Sequence, residues 1–342
     1  MAKVIGTSQA WKQISEILES RNLTVDKAED IHKLLTQKKK TYEKAKEDAT
    51  KVNEQQLDQA VKNLADTKAD FQAAIQVSKR ESDYQIELIE TTIQLLQEEG
   101  GFLRKIINQP KIRNYRTRIA GIKKHQNKYV LNLQANIAEK QKNIDFKKIN
   151  RELLIEKQCE NIKRDVTCLE QTLLSPFFAG AIAELELIEL LRKLPEHFYL
   201  MNDLELNLGR GVPFDGEWLQ SAQIDHLVIS PAGIFVIETK NWSKEFLEHG
   251  DYFNPYQQVK RSSYLCYKIL ENRHPNIKVR NIIAYKGHIP PKPDESFAKV
   301  LPLKEVGGYI MWFKENILGN EQIQCLAEYL KEYPAQGAFN EF

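Results

Sequence analysis

The sequence predicts two architectures in one chain: an all-α antiparallel coiled-coil hairpin over residues 1–172, then an α/β domain over 173–342 with an αβββαβ core. Three observations predict it. Of 15 glycines, 11 lie after residue 176, and of 12 prolines only Pro110 precedes that point. The long stretches free of both residue types can run as uninterrupted helix. Within them the apolar residues recur with heptad spacing, and beyond them β-branched runs alternate with helical ones.

Ser8 is placed to cap a short first helix carrying Trp11, Ile14, Ile17 and Leu18. Leu57, Val61, Leu64, Phe71 and Ile75 keep a 4-3 rhythm, and Ile86, Ile89, Ile93 and Leu96 resume it after an 11-residue step, as a stutter requires. On the return, Tyr115, Ile119, Ile122, Tyr129 and Leu133 repeat the rhythm, as do Ile155, Cys159, Ile162, Val166, Leu169 and Leu173. Gly100-Gly101 and Pro110 supply a break, which predicts helices over about 27–98 and 112–173. At 1.5 Å per residue each is roughly 90–110 Å long. Ser175-Pro176 starts a helix over about 176–194. Strands follow at about 199–206, 223–229 and 233–240, then a helix at 255–272, strands Val279–Tyr285 and Lys299–Leu303, and helices at 304–317 and 320–332.

The chemistry concentrates in one hairpin. Gln223-Ile224-Asp225-His226 precedes an apolar run with a Pro231-Ala232-Gly233 turn, and Glu238-Thr239-Lys240 closes the second strand. With a period of two, Glu238 and Lys240 share a face, and a tight hairpin brings Asp225 beside them. Two carboxylates and one ammonium at the end of an apolar hairpin are unfavourable unless a metal ion compensates them. Hard oxygen ligands suit Mg2+ or Mn2+, which activates water and neutralises charge on a phosphate. His226 points to the other face of its strand, where packing or hydrogen bonding is expected.

These residues resemble the core of the NERD (nuclease-related) domain, a branch of the PD-(D/E)xK nuclease superfamily. The resemblance rests on Gln223-Ile224-Asp225-His226, on Gly233 through Trp242, on Asn254-Pro255 with Gln258, and on Gly180-Ala181-Ile182-Ala183-Glu184. Ala183 departs from the family's usual glycine before the glutamate, and the segment between Trp242 and Asn254 is short. The resemblance implies a restriction-endonuclease-like fold and metal ligands at Asp225, Glu238 and Glu184. It further implies that Lys240 orients water or stabilises charge on the phosphate, and that Gln258 lines the site. Glu184 also reads as part of a solvated face with Glu186 and Glu189, and Gln258 as a cap on Asn254-Pro255.

The expected function is metal-dependent cleavage of phosphodiesters, with DNA favoured over RNA and, by analogy, a role in defence against foreign or phage DNA. Alanine at Asp225, Glu238 or Lys240 is expected to abolish cleavage and leave the fold intact, and loss of either carboxylate is expected to keep stability level or raise it. Two rivals stand beside it: a non-catalytic scaffold whose nuclease-like domain only binds nucleic acid or a partner, and a structural protein in which the arm is the function. No Walker loop, Gly-x-Gly-x-x-Gly, His-Glu-x-x-His or Gly-x-Ser-x-Gly occurs. The formal charge of +2 says little about partners. Four widely spaced cysteines and no apolar run of ~18 residues predict a soluble cytoplasmic chain with no membrane span. The arm is expected to pair with a second copy or a protein partner. Between Gly100 and Ala138 there is no acidic residue, yet Arg104, Lys105, Lys111, Arg113, Arg116, Arg118, Lys123, Lys124 and Lys128 all fall there. That cluster is either a solvated surface or a grip on phosphate backbones.

Overall fold

A computed structural model of the chain describes residues 1–98, 100–248, 252–294 and 296–336, with the side chains of 102, 105 and 334–336 outside that description. Two compact units emerge, one formed by Met1–Lys38 with Arg164–Phe342, the other by Lys39–Lys163.

Helix α2 (Asp30–Glu98) runs 69 residues, about 100 Å, and from Lys39 onward lies in the second unit, where α3 (Phe102–Ile149) returns beside it. Paired contacts fix the antiparallel sense. Asn53 meets Gln158, Glu54 meets Arg151, Thr67 meets Lys140, and Leu96 meets Asn108, so one number rises as the other falls. The predicted rhythm holds along the seam, stutter included, with two corrections. Val61 and Tyr129 are exposed, and Ala60 and Val130 take the half-buried positions beside them. Small residues (Thr67, Ala74, Ser78, Ser82) complete the seam on α2, and their modest side chains let the two helices approach where an apolar count sees only polar gaps.

The break is also shorter than predicted. Gly101, at φ 106, starts α3 at Phe102, and Pro110 lies inside the helix. Proline forfeits one hydrogen bond to the preceding turn, and the helix continues through it. The returning helix is interrupted instead at Asn150 and Cys159, giving α4 (Arg151–Gln158) and α5 (Glu160–Leu174).

The first unit is built on a six-stranded mixed sheet in the order β1-β2-β3-β4-β5-β6. Its strands are β1 (Lys3–Ile5), β2 (Tyr199–Phe214), β3 (Glu217–Ser230), β4 (Gly233–Lys240), β5 (Val279–Tyr285) and β6 (Lys299–Pro302). Strands β2 to β4 are antiparallel; β1 joins β2, β5 joins β4 and β6 joins β5, each in parallel. Helices α6 (Pro176–Leu191) and α9 (Leu303–Trp312) cover one face with Leu187, Leu191, Val306 and Ile310 against Val228, Phe235 and Ile237. Helices α8 (Pro255–Leu270) and α10 (Asn320–Gln336) cover the other, with Val259, Leu265, Ile323 and Leu330 against Leu227, Ile229 and Val236. Short helices α1 (Gln9–Glu19) and α7 (Lys244–Glu248) complete the unit.

Three features of this unit were not predicted. β1 is an edge strand drawn from the N-terminus. Strands β2 and β3 extend into a long ribbon closed by Asp215-Gly216, both at positive φ, as a two-residue hairpin turn demands. Finally, the alternation of buried residues resets in the middle of β2 and β3. Met201 and Leu204, three apart, enter the same core, and so do Ile224 and Leu227. Asp203 sits at this reset with φ 54, opposite Asp225.

Candidate active site

The pairing of β3 with β4 ends at His226 and Ile237, while β4 continues alongside β5 as far as Lys240 and Tyr285. Beyond Ile237 the two strands separate, and the Asp225 carboxylate takes over the role of a strand partner. The Thr239 N–H donates to its Oδ2 at 2.8 Å. One strand residue earlier, Glu238 is 2 % exposed, and its Oε1 accepts from Lys240 Nζ at 2.5 Å.

The electrostatics follow from that burial. Glu238 is held well above the ordinary carboxylate range, first by desolvation and then by the negative charge of Asp225. Burial works against the charge on Lys240, yet Glu238 and Asp225 outweigh it, so the ammonium titrates above its usual value. Glu184, brought in by α6, is pushed up to about 7 by burial and then by Asp225, while a hydrogen bond from Ser8 and the charge of Lys240 act in the opposite direction. Three carboxyls thus share one poorly solvated place with a single lysine.

The N-terminal segment contributes to this place. Ser8 caps α1 through the Trp11 N–H at 3.0 Å and also reaches Glu184. Asp203 accepts from Lys12 Nζ at 2.6 Å and from Gln223 Nε2 at 2.7 Å, and its charge raises Glu184 further. Ser8 caps α1 as expected, but its reach to Glu184, and the parts played by Lys12 and Asp203, are not legible in the sequence, because neither the edge strand nor the left-handed kink at Asp203 leaves a periodic signal.

His226 is fully buried and faces Asn202. Asn202 Nδ2 donates to the carbonyls of Ile5 and Gly6, which leaves its Oδ1, 2.7 Å away, to accept from His226 Nδ1. That assignment puts the proton on Nδ1. Burial depresses the imidazole to about 4, so it stays neutral, and its role is hydrogen bonding, as expected. Its Nε2 and the Thr239 hydroxyl are buried without a hydrogen-bond partner.

Other predicted residues frame the group. Asn241 Nδ2 donates to Ala179 O at 2.8 Å, fastening the end of β4 to the first turn of α6. Trp242 lies 5.5 Å from Lys240 Nζ and 4.7 Å from the Tyr252 ring. Asn254 caps α8 through the Tyr256 N–H. Gln258 is half-buried on α8; its carbonyl accepts from Ser262, and its side chain makes no hydrogen bond to the carboxyl group cluster.

Asp225 and Glu238 are the residues able to hold a divalent cation. Among the described residues no group of three or more His, Cys, Asp or Glu side chains is arranged to hold a metal ion. An open pair still fits Mg2+, which keeps several waters and uses one or two carboxylates. The raised carboxyl of Glu238 also fits, since a dication replaces the proton that the metal-free site retains.

No curated protein and no solved structure matches the chain. Residues 179–286 match the family model of the NERD, nuclease-related domain. The matched segment opens in α6 and closes just after β5, so it takes in Glu184, Asp225, Glu238, Lys240 and Gln258 together. Its mixed sheet, flanked by helices on both faces, has a restriction-endonuclease-like fold, and over this segment the chain carries a nuclease-related domain.

Proposed function

We propose that the chain is a metal-dependent endonuclease that hydrolyses phosphodiester bonds in DNA. One observation carries the reading: a buried glutamate, an aspartate and a charged lysine meet where β3 and β4 part, inside the segment that matches the nuclease-related domain. No packing need of the sheet accounts for burying those charges together. Asp225 and Glu238 would hold Mg2+ or Mn2+, with Glu184 the third carboxylate of the group. When bound, the cation would supply a more acidic water and offset charge on the scissile phosphate. Lys240, kept protonated by its two acidic neighbours, stabilises negative charge building on the phosphate oxygens. Thr239 anchors Asp225 through its N–H, and Trp242 stacks near the ammonium and walls the mouth of the site.

Supercoiled plasmid incubated with the full chain and Mg2+ or Mn2+ tests this. Nicking that EDTA abolishes is the expected result. Plasmid bound but never cut would favour a non-catalytic scaffold, and neither binding nor cutting would favour a structural protein.

The same reading assigns the protein to the cytoplasm and to cleavage of foreign or phage DNA. No helix among the described residues is long and apolar enough to cross a membrane. The arm is assigned a second chain as partner. On α2, Val77, Tyr84, Leu88 and Leu95 are all exposed and follow a 7-4-7 spacing, a stripe outside the seam with α3. A twofold dimer covering it would present two active sites to a duplex. Sedimentation of the full chain should give a dimer, and Leu88→Glu with Leu95→Glu should shift it to monomer. A wild-type monomer at micromolar concentration would remove this part of the reading.

A further inference from the structure

The nine cations singled out near the turn between α2 and α3 play no part in the catalytic group. Eight of them, Arg104, Lys111, Arg113, Arg116, Arg118, Lys123, Lys124 and Lys128, are exposed in the structure; the side chain of Lys105 lies outside the described residues. Among the described residues none of the eight has an ion-pair partner within 4.0 Å. From residue 79 to 128 the two helices together hold eleven lysines and arginines against six acids, and all six acids lie on α2 or directly after it.

We infer that the end of this helical hairpin, over residues 104–128, is a docking site for the phosphate backbone of a nucleic acid. The distribution of charge is the argument. The cations extend along about 36 Å of helix, at 1.5 Å per residue. At about 3.6 residues per turn they occupy every face of α3 except the one that Ile112, Tyr115, Ile119 and Ile122 pack against α2. A phosphate backbone presents one charge per ~3.4 Å of strand, so a cationic rod of this length matches a run of phosphates. A lipid surface asks for something else: an apolar face to insert opposite a cationic one. Up to residue 128 the apolar face of α3 is already used by α2, and over that stretch the exposed large apolar residues, Leu103, Ile106 and Ile107, are confined to the first turns. The choice of nucleic acid over other polyanions rests on the nuclease reading. Functionally, the hairpin end would grip the chain of phosphates without regard to sequence and leave cleavage to the other unit.

The test uses the full chain and a fluorescent 30-base-pair duplex in EDTA, so that binding is measured without cleavage. Arg113, Arg116, Lys123 and Lys124 are changed together to Glu, and in a second variant to Gln. All four side chains lie outside the seam, and circular dichroism checks that the helices persist. At 0.1 M salt the Glu variant should bind about tenfold more weakly or worse. Its plot of log affinity against log salt should be shallower by roughly 0.9 per lost contact. The Gln variant should move in the same direction by less. Nicking by either variant at saturating enzyme should persist with Mg2+, whereas Asp225→Asn should bind the duplex normally and not nick it. Duplex affinity and salt slope unchanged in both variants would overturn the inference. So would loss of binding to phosphatidylserine vesicles with duplex binding intact. If wild type binds but never nicks and the Glu variant loses binding, docking stands and the nuclease reading falls.

Discussion

Asp225→Asn should abolish plasmid nicking, by about a hundredfold to a thousandfold or more, while the protein remains folded. Asparagine keeps an oxygen in place to accept from the Thr239 N–H, the bond that Asp225 makes at 2.8 Å. It removes the negative charge that, after burial, pushes Glu238 above its ordinary range. Relief of that repulsion should make the metal-free variant as stable as wild type or more so, by on the order of 1 kcal/mol. Asp225→Ala should lose activity equally but behave differently in the melt. It leaves a buried N–H without a partner, a cost of about 1–3 kcal/mol that cancels or exceeds the electrostatic relief. The expectation that alanine leaves stability level or higher therefore passes to asparagine at this position. Lys240→Ala should destabilise the metal-free protein, since it strips Glu238 of its cation and leaves a buried carboxyl that has to hold a proton. Full nicking by Asp225→Asn would remove the assignment of the site.

The contrast between asparagine and alanine shows what the sequence carried and what it did not. Glu238 and Lys240 were legible because a strand has a fixed period and the residues before them are Ile234, Phe235, Val236 and Ile237, a run with no other home than a sheet interior. Asp225 was legible as part of the motif, but its bond to Thr239 was not. That bond exists because the pairing of β3 with β4 ends at His226 and Ile237, and nothing in the residue types says where pairing stops. Asp203 was invisible for a related reason: its positive φ is imposed by the strands around it, and aspartate tolerates that conformation without advertising it. The arm shows the same division. Leucine and isoleucine announced the seam, whereas Ala60, Thr67 and Ser78 occupy it because the partner helix is near, which is a tertiary fact. Ser8 and Lys12 lie more than a hundred and seventy residues before the carboxyls they meet, and no local pattern spans that distance.

In EDTA, the thermal stability of the unit bearing the sheet should fall as pH rises from 5 to 8. Glu184 titrates at about 7 in the folded chain against an ordinary 4.5, and Glu238 lies well above 4.5. A carboxyl raised on folding binds protons more tightly in the native state. Its contribution is complete below pH 4.5 and is lost as pH climbs through the folded value, about 7 for Glu184. The loss from Glu184 is on the order of 2 kcal/mol, equivalent to roughly 4–8 °C for a unit of this size. Lys240 remains protonated throughout that range, so it does not offset the trend. Trp11, Trp218, Trp242 and Trp312 all lie in this unit and none in the arm, so selectively excited tryptophan fluorescence follows its unfolding alone. Glu184→Gln should flatten the profile by removing one of the two groups and should stabilise the metal-free protein at pH 8. Saturating Mg2+ should act the other way on the wild type. The ion binds only deprotonated carboxylates and so binds better as pH rises, and at a hundred times its Kd it adds about 2.7 kcal/mol to the native state. Stability in Mg2+ should therefore hold level or rise between pH 6 and 8, where stability in EDTA declines. Parallel profiles with and without the ion would mean that Asp225 and Glu238 do not hold it, whatever the nicking assay reports.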